Sequence, residues 1–563
     1  MHHARPVLLT VLAAMVLSAC TNMVGCHGCN PPPAQWLMYR NNPGRYGQQF
    51  LGSALSNPTN VLASLHVGWR SPDPTWTAPF PGAFRAAPVV FNNTVFIGDV
   101  NGVFWAINAA DGTFRWRFPA TGAGLNGSCN QGGNGSWGQY GIQSSATYAS
   151  IGTKDAVIFG APDPDPGTDG GNGSARLWAL DAANGSVIWK SDVVAHVNGC
   201  PGSLHERITY SSPLVFSGRV FVGVHDAADN PVQKGKIVAV DLNTGSLAAG
   251  FPFVVDGAPG DSTCGGVCGG GVWDSPSTDG RGVIFTTGNV CDSNFWNTGN
   301  CESEPSPDFS LSMVSVDPIS GTRNWSFRAV PFKLDGDPDW SAGPTSMLTT
   351  CGQLTASVEK DGWTYAINSA DGTCRWQFPP TAGPGCVFSP SDTHTHGDDD
   401  YKQPGASWGD YLVIQTGGEA LPTDGVTAGY GRLHALDACQ GDSNRVRWIA
   451  DIAPGQSYSI GAPVVTGGMV YVTTSAGHVV AFADPSVAPP AGFRCTSVDF
   501  GPPSPTWPTD CLGAGFSIVP VPASRDVALG DNGDAVGLRM EAAIALDKLY
   551  VATSQGHVYA LWP

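Results

Sequence analysis

Apolar residues recur along this chain in short alternating runs separated by turns, a pattern that predicts strands rather than helices. It is clearest in FIGDVNGVFWAINAADGTFRWRF, Phe96 to Phe118. Val95–Gly98 is β-rich and Asp99–Gly102 makes a turn. Val103–Ile107 alternates apolar with smaller residues, Asp111-Gly112 is a hairpin signal, and Trp116 closes the unit. A single meander of this kind has an apolar face that it cannot bury alone, so it needs copies of itself.

The copies follow. They are LWALDAANGSVIW (Leu177–Trp189), IVAVDLNTGSL (Ile237–Leu247), MVSVDPISGTRNW (Met313–Trp325), GWTYAINSADGTCRW (Gly362–Trp376) and RLHALDACQGDSNRVRW (Arg432–Trp448). Two more keep only their front halves, SAGHVVAFAD (Ser475–Asp484) and SQGHVYALWP (Ser554–Pro563). HVGWRS (His66–Ser71) supplies the strand that the last repeat lacks. The expected fold is all-β, an eight-bladed β-propeller closed by an N-terminal strand, which hides its sheet edges by pairing. Asn108 and Asp181, like Asp241 and Asp317, stand farther apart than the roughly 40–50 residues of a bare blade. The surplus must be loop. Pro162–Gly173, Asp261–Gly271, Pro305–Pro307, Thr381–Tyr401 and Pro485–Thr509 are Gly-, Pro- or Asp-rich excursions of the kind that cover a propeller's faces.

The N-terminus reads differently. Arg5 and the apolar run Val7–Leu17 lead to Leu17-Ser18-Ala19-Cys20, which resembles the lipobox of bacterial lipoproteins. That assigns residues 1–20 to a signal peptide, Cys20 to lipidation, residues 21–35 to a tether and residues 36–563 to one propeller domain. Thr21 stands where an inner-membrane retention signal would have Asp, which favours a lipid anchor at the outer membrane of a Gram-negative envelope.

Composition agrees with an exported β protein: no later stretch is long and apolar enough to span a bilayer. The net charge of −18 excludes nucleic acid as a partner, since that needs a basic face. Of 15 Cys, setting Cys20 aside leaves an even number, which predicts disulfides in an oxidising compartment. Cys264/Cys268, Cys291/Cys301 and Cys495/Cys511 are near-neighbour candidates. Cys26-His27-Gly28-Cys29 is followed by Asn30 and not His, so no covalent haem is expected there.

The repeated apolar-Ala-apolar-Asp, Gly, Trp pattern resembles the tryptophan-docking repeat of quinoprotein alcohol dehydrogenases. These eight-bladed propellers bind pyrroloquinoline quinone (PQQ) on their axis. The likeness is to the polyvinyl-alcohol dehydrogenase branch in particular, and it covers most of the chain after Trp36. Non-catalytic propellers share the repeat, including an outer-membrane assembly lipoprotein, so function rests on the site.

Four segments carry the site-level resemblance. Gly269-Gly270-Gly271-Val272-Trp273-Asp274-Ser275-Pro276 is similar to the Gly-rich approach to the Trp beneath the quinone, which makes Trp273 the platform. Val283-Ile284-Phe285-Thr286-Thr287-Gly288-Asn289 is similar to the strand whose Asn ligates Ca²⁺. Asp337-Pro338-Asp339-Trp340 matches the family's Asp-x-Asp-aromatic segment, implying Asp339 as metal neighbour and general base. Glu359-Lys360-Asp361-Gly362 matches its Lys-x-Gly, with Lys360 reaching the quinone oxygens. Arg85 falls where a family Arg meets a cofactor carboxylate. In Phe221–Asn230, where the family has an acidic ligand, usually Glu, this chain offers Asp226 or Asp229, and Asp229 completes the expected metal set. The family's adjacent Cys pair is absent.

The resemblance implies PQQ- and calcium-dependent oxidation of an alcohol, secondary or polymeric, with electrons passed to a separate acceptor. The rival class is a lipid-anchored propeller that acts as a protein-binding scaffold. A third reading places a metal at His394-Thr395-His396 with Asp398–Asp400, where two His at spacing two share one side of an extended segment.

Overall fold

The computed structural model describes residues 35–51, 53–73, 76, 79–125, 141–163, 174–196, 206–226, 235–255, 270–288, 309–328, 340, 342–359, 363–378, 386, 404–416, 432–452, 461–497, 516–530 and 541–563. Each repeat forms an antiparallel meander ordered from the axis outward, and eight such sheets succeed one another along the chain. Blade I comprises Val89–Phe91, Thr94–Gly98, Phe104–Asn108 and Phe114–Phe118. Blade VIII takes its outermost strand from the N-terminus: His66–Ser71 pairs antiparallel with Val558–Trp562. The eight-bladed propeller and its closing strand are as expected, and one short α-helix, Pro58–Ser64, precedes that strand.

The repeated Ala has a steric reason. In five blades the third and fourth strands pair with a register shift that sets the closing Trp opposite a small residue. The pairs are Ala106 with Trp116, Ala179 with Trp189, Ser315 with Trp325, Ala366 with Trp376 and Ala435 with Trp448. Directly opposed residues share a face, so a small partner leaves room for the indole. Each indole then reaches the next blade. Nε1 of Trp116, Trp189, Trp325 and Trp376 donates to the carbonyls of Ala182, Leu242, Ser369 and Ala438 at 2.9–3.1 Å, and Trp448 donates to Asp484 Oδ2 at 2.7 Å. The turn glycine is required there. At Gly185, φ is +73° and an added Cβ would strike the ring of Trp116.

Blade III has no Trp, and another device replaces it. Arg219 Nη1 donates to the carbonyls of Ala249, Pro318 and Ile319, joining blade III to blade IV. The core therefore lies between blades and not within them. One cluster joins Phe91, Phe96 and Phe104 of blade I to Val157 and Phe159 of blade II, with Phe104 and Phe159 stacked at 4.2 Å and 5°.

Blade VII is completed by Ala523–Ala528, beyond an insertion that carries a hairpin, Gly492–Ser497 with Phe516–Val521. This outer strand follows the repeat only after a long detour, which is why the sequence showed half a repeat. Two disulfides are present among the described residues. Cys351–Cys439 ties blade V to blade VI, and Cys374–Cys386 joins the last strand of blade V to the loop after it. Both differ from the near-neighbour pairs expected, which lie outside the described residues or have undescribed side chains.

A feature the repeats did not announce runs through the axis. Residues 36–49 pass the innermost strands of all eight blades in turn, bonding backbone to backbone at Val90, Tyr148, Thr278, Ser346, Ser407 and Val465. Arg45 reaches blade III through Ser212 and Pro213, and Gln49 reaches blade VIII through the Ile544 carbonyl at 2.9 Å. Two arginines of this collar are wholly buried. Arg40 pairs with Glu541 at 2.7 Å and donates to the carbonyls of Gly405 and Pro463, gripping blades VI, VII and VIII. Burial raises the pKa of the Glu541 carboxyl, while Arg40 opposes that rise.

Candidate cofactor site on the loop face

In a four-stranded meander, the links between second and third strands share a rim with the links between blades. The long excursions fall on that rim, with one exception. The insertion of blade VII joins its third and fourth strands and so leaves from the opposite rim. The loop face is thus where a ligand can be enclosed by many segments.

Trp273 lies on this face, half-buried, in the loop that leads into the inner strand of blade IV. Gly270 has φ +64°, and the Gly235 backbone lies against the Gly270 carbonyl with no room for a side chain. The glycines thus allow the close backbone approach that their run predicts. Val272 N–H donates to the Val224 carbonyl at 3.1 Å, and Gly288 N–H donates to the Gly271 carbonyl at 2.9 Å. The residue that precedes Asn289 is therefore bonded two positions before Trp273.

Blade V closes on the same place. Thr286 Oγ1 and Ser357 Oγ both donate to the Ala342 carbonyl, at 3.1 and 2.6 Å. Trp340 and Glu359 form an antiparallel bridge, and Trp340 is fully buried edge-on to Tyr365 at 5.8 Å. Asp339, Asn289, Lys360 and Asp229 lie outside the described residues, as do Cys20, His394, His396 and Asp398–Asp400. The chain neighbours of Asn289, Asp339 and Lys360, namely Gly288, Trp340 and Glu359, are brought to the junction of blades IV and V beside the Trp273 loop.

Arg85 stands elsewhere on the face, half-buried in the loop that leads into blade I. Its neighbour Phe84 is held by the carbonyl of Thr553 at 3.2 Å and by a bridge to Asp99. Asp99 is buried and accepts from the N–H groups of Gly82, Asn101 and Val103 and from Trp105 Nε1, each at 2.9 Å. Burial raises its pKa even against those four donors. Among the described residues none hydrogen-bonds the Arg85 guanidinium.

Sequence reasoning missed several loop-face groups. Tyr210 and His225 stack at 5.9 Å and 18° next to the Val224–Val272 bond. Glu206 pairs in register with Asp226, at the strand end where the family has an acidic ligand, and its carboxylate is held by Lys236 at 2.6 Å. Asp163 likewise takes Arg176 at 2.7 Å and Lys190 at 3.1 Å. These pairs join residues on different strands and have no local pattern to announce them. Among the described residues no cluster of three His, Cys, Asp or Glu is set to hold a metal. The described part of the face offers two groups of the chemistry that a flat anionic ring needs, the half-buried Trp273 beside glycines and, elsewhere on the face, the half-buried Arg85.

The fold is an eight-bladed propeller of the tryptophan-docking kind, with its long loops gathered on one face. A family model for the PQQ glucose/ethanol/alcohol dehydrogenase β-propeller domain matches residues 36–384, over half the chain, and the protein belongs to that family. Among solved structures it is similar to the quinohemoprotein alcohol dehydrogenase of Comamonas testosteroni, with 16% identity, TM-score 0.61, and 94% of this chain and 80% of that one covered. A quinohemoprotein alcohol dehydrogenase of Pseudomonas putida HK5 gives 15% identity, TM-score 0.61 and the same coverage, 94% and 80%. A europium-containing methanol dehydrogenase gives 18% identity, TM-score 0.57, and 81% and 84% coverage. At such identities these structures speak for the fold alone. No curated protein matches the chain.

Proposed function

We propose that the protein is a PQQ- and calcium-dependent alcohol dehydrogenase of the cell envelope. The observation that carries this reading is the junction of blades IV and V, where the Trp273 loop meets the neighbours of Asn289, Asp339 and Lys360. When bound, PQQ supplies the hydride acceptor and Ca²⁺ the Lewis acid. Trp273 fixes the ring plane through its flat apolar face. Arg85 neutralises a carboxylate of the ligand. Asn289, Asp339 and Asp229 provide oxygen donors, which suit a hard cation. Asp339 takes the hydroxyl proton of the alcohol on its carboxylate, and Lys360 offsets negative charge that develops beside it.

The substrate of this reading is a secondary or polymeric alcohol, and electrons leave to a separate acceptor. Cys20 carries the lipid that tethers the propeller to the outer membrane. The test is dye-coupled oxidation of a panel of primary, secondary and polymeric alcohols, with PQQ and Ca²⁺ and again with EDTA. The reading predicts activity that requires both additions and is lost in Asp339→Asn. Absence of activity toward every alcohol, with PQQ bound, would favour the scaffold reading instead. For the tether, Cys20→Ser should move the protein from the membrane fraction to the soluble one.

A further inference from the structure

We infer that Arg45 of the axial collar is the positioning residue of the Trp273 platform, an inference that rests on the proposed cofactor site for its functional meaning. All three nitrogens of its guanidinium donate to backbone carbonyls. Nε donates to Pro276 at 2.9 Å, Nη1 to Tyr39 at 2.7 Å, and Nη2 to Ser212 and Pro213, both at 3.1 Å. Pro276 lies three residues after Trp273. Ser212 and Pro213 lie just after Tyr210 in the matching loop of blade III. One planar fork thus bonds both loops at once, which a flexible ammonium could not do.

The surroundings complete a closed ring of bonds. Ser275 Oγ accepts from Ser212 N–H at 2.9 Å, so the two loops are also joined directly. Gly343 of blade V leaves no room between its Cα and the Ser275 carbonyl. On either side of Arg45 the collar backbone is fixed, Gly44 accepting from Ser346 N–H and Tyr46 from Ser407 N–H, both at 2.8 Å. Arg45 itself has φ +59°, a left-handed conformation costly for a side chain with Cβ, and these flanking bonds hold it there. Burial pulls its pKa down to about 10, so it stays charged at neutral pH.

Arg40 is the built-in control. It is equally buried in the same collar but grips blades VI to VIII, away from Trp273. Removal of either arginine costs global stability, whereas only Arg45 governs the platform. The experiment compares Arg45→Lys and Arg40→Lys in the full chain, by hydrogen exchange of the peptide spanning 270–278 and by PQQ titration with Ca²⁺. In Arg45→Lys, exchange across 270–278 should be about tenfold faster than in Arg40→Lys at a matched melting temperature. PQQ affinity should fall in Arg45→Lys alone, by about tenfold or more. Equal exchange in the two variants would overturn the inference. If wild type shows no PQQ binding, the cofactor reading fails while exchange still decides the role of Arg45. Should Arg45→Lys not fold, Ser275→Ala opens the same ring from the other side and is expected to speed exchange at 270–278. Unchanged exchange there would count against the inference in the same way.

Discussion

At the scale of single residues, carboxylates at the blade turns and charges on the axis play opposite parts. Asp111, Asp317 and Asp371 sit in exposed turns. Asp111 accepts from the N–H and hydroxyl of Thr113, Asp317 from the N–H groups of Ser320 and Ile319, and Asp371 from the hydroxyl and N–H of Thr373. Those bonds hold all three carboxyls below the ordinary aspartate pKa. A lowered carboxylate contributes stability that is fully present above its unfolded pKa and is lost as pH falls through the folded value. Melting temperature should therefore drop on acidification below about pH 4, and a triple Asp→Asn variant should show a shallower drop. An acid limb of unchanged slope in that variant would contradict the assignment. The axial pair behaves as a buried ion pair. Arg40→Met strands the Glu541 charge and should cost about 3–5 kcal/mol in urea unfolding, with Arg40→Met/Glu541→Leu costing less than the single change.

Among elements, the blades were legible because their signals are local. The Asp-Gly turns, the small residue opposite the indole and the closing Trp all fall within one meander, so Phe96–Phe118 sufficed to find its copies. The docking bonds give that pattern an energetic order. Trp376→Phe removes an indole bond to a carbonyl and should cost about 0.5–1.5 kcal/mol, whereas Trp448→Phe removes one to the buried Asp484 carboxylate and should cost about 1.5–3 kcal/mol. Urea unfolding that ranks the two in reverse would contradict the charge-assisted assignment. The elements that sequence did not reveal depend on distant partners. Arg219 answers carbonyls in the next blade, the last strand of blade VII follows an insertion, and Arg40 meets Glu541 across 501 positions. No window of sequence contains both halves of such a contact.

Over the whole molecule, three devices close the ring: the strand pairing of His66–Ser71 with Val558–Trp562, the axial collar, and the Cys351–Cys439 bridge between blades V and VI. The bridge spans 88 residues, and in the loop-entropy view its removal in Cys351→Ser/Cys439→Ser should cost about 2–5 kcal/mol. Unfolding midpoints of oxidised and double-Ser protein that coincide would show that the other two devices suffice. For the site, Trp273 and Arg85 were singled out by local motifs and lie in loops that lead into blades IV and I, while Gly288, Trp340 and Glu359, the neighbours of three further candidates, meet at one junction. What the sequence could not show was the support around them, because the collar belongs to no repeat and the Tyr210–His225 pair joins residues that are not neighbours in the sequence.

The central claim is that this junction holds PQQ on Trp273. Its most direct test is titration of PQQ into the full chain with Ca²⁺, followed by melting temperature and by quenching of tryptophan fluorescence. A ligand that binds only the folded state must raise the melting temperature. PQQ should give a saturable rise with quenching, both lost on EDTA and both absent in Trp273→Ala, whose own melting temperature stays within a few degrees of wild type. No rise at saturating PQQ, or an undiminished rise in Trp273→Ala, would contradict it.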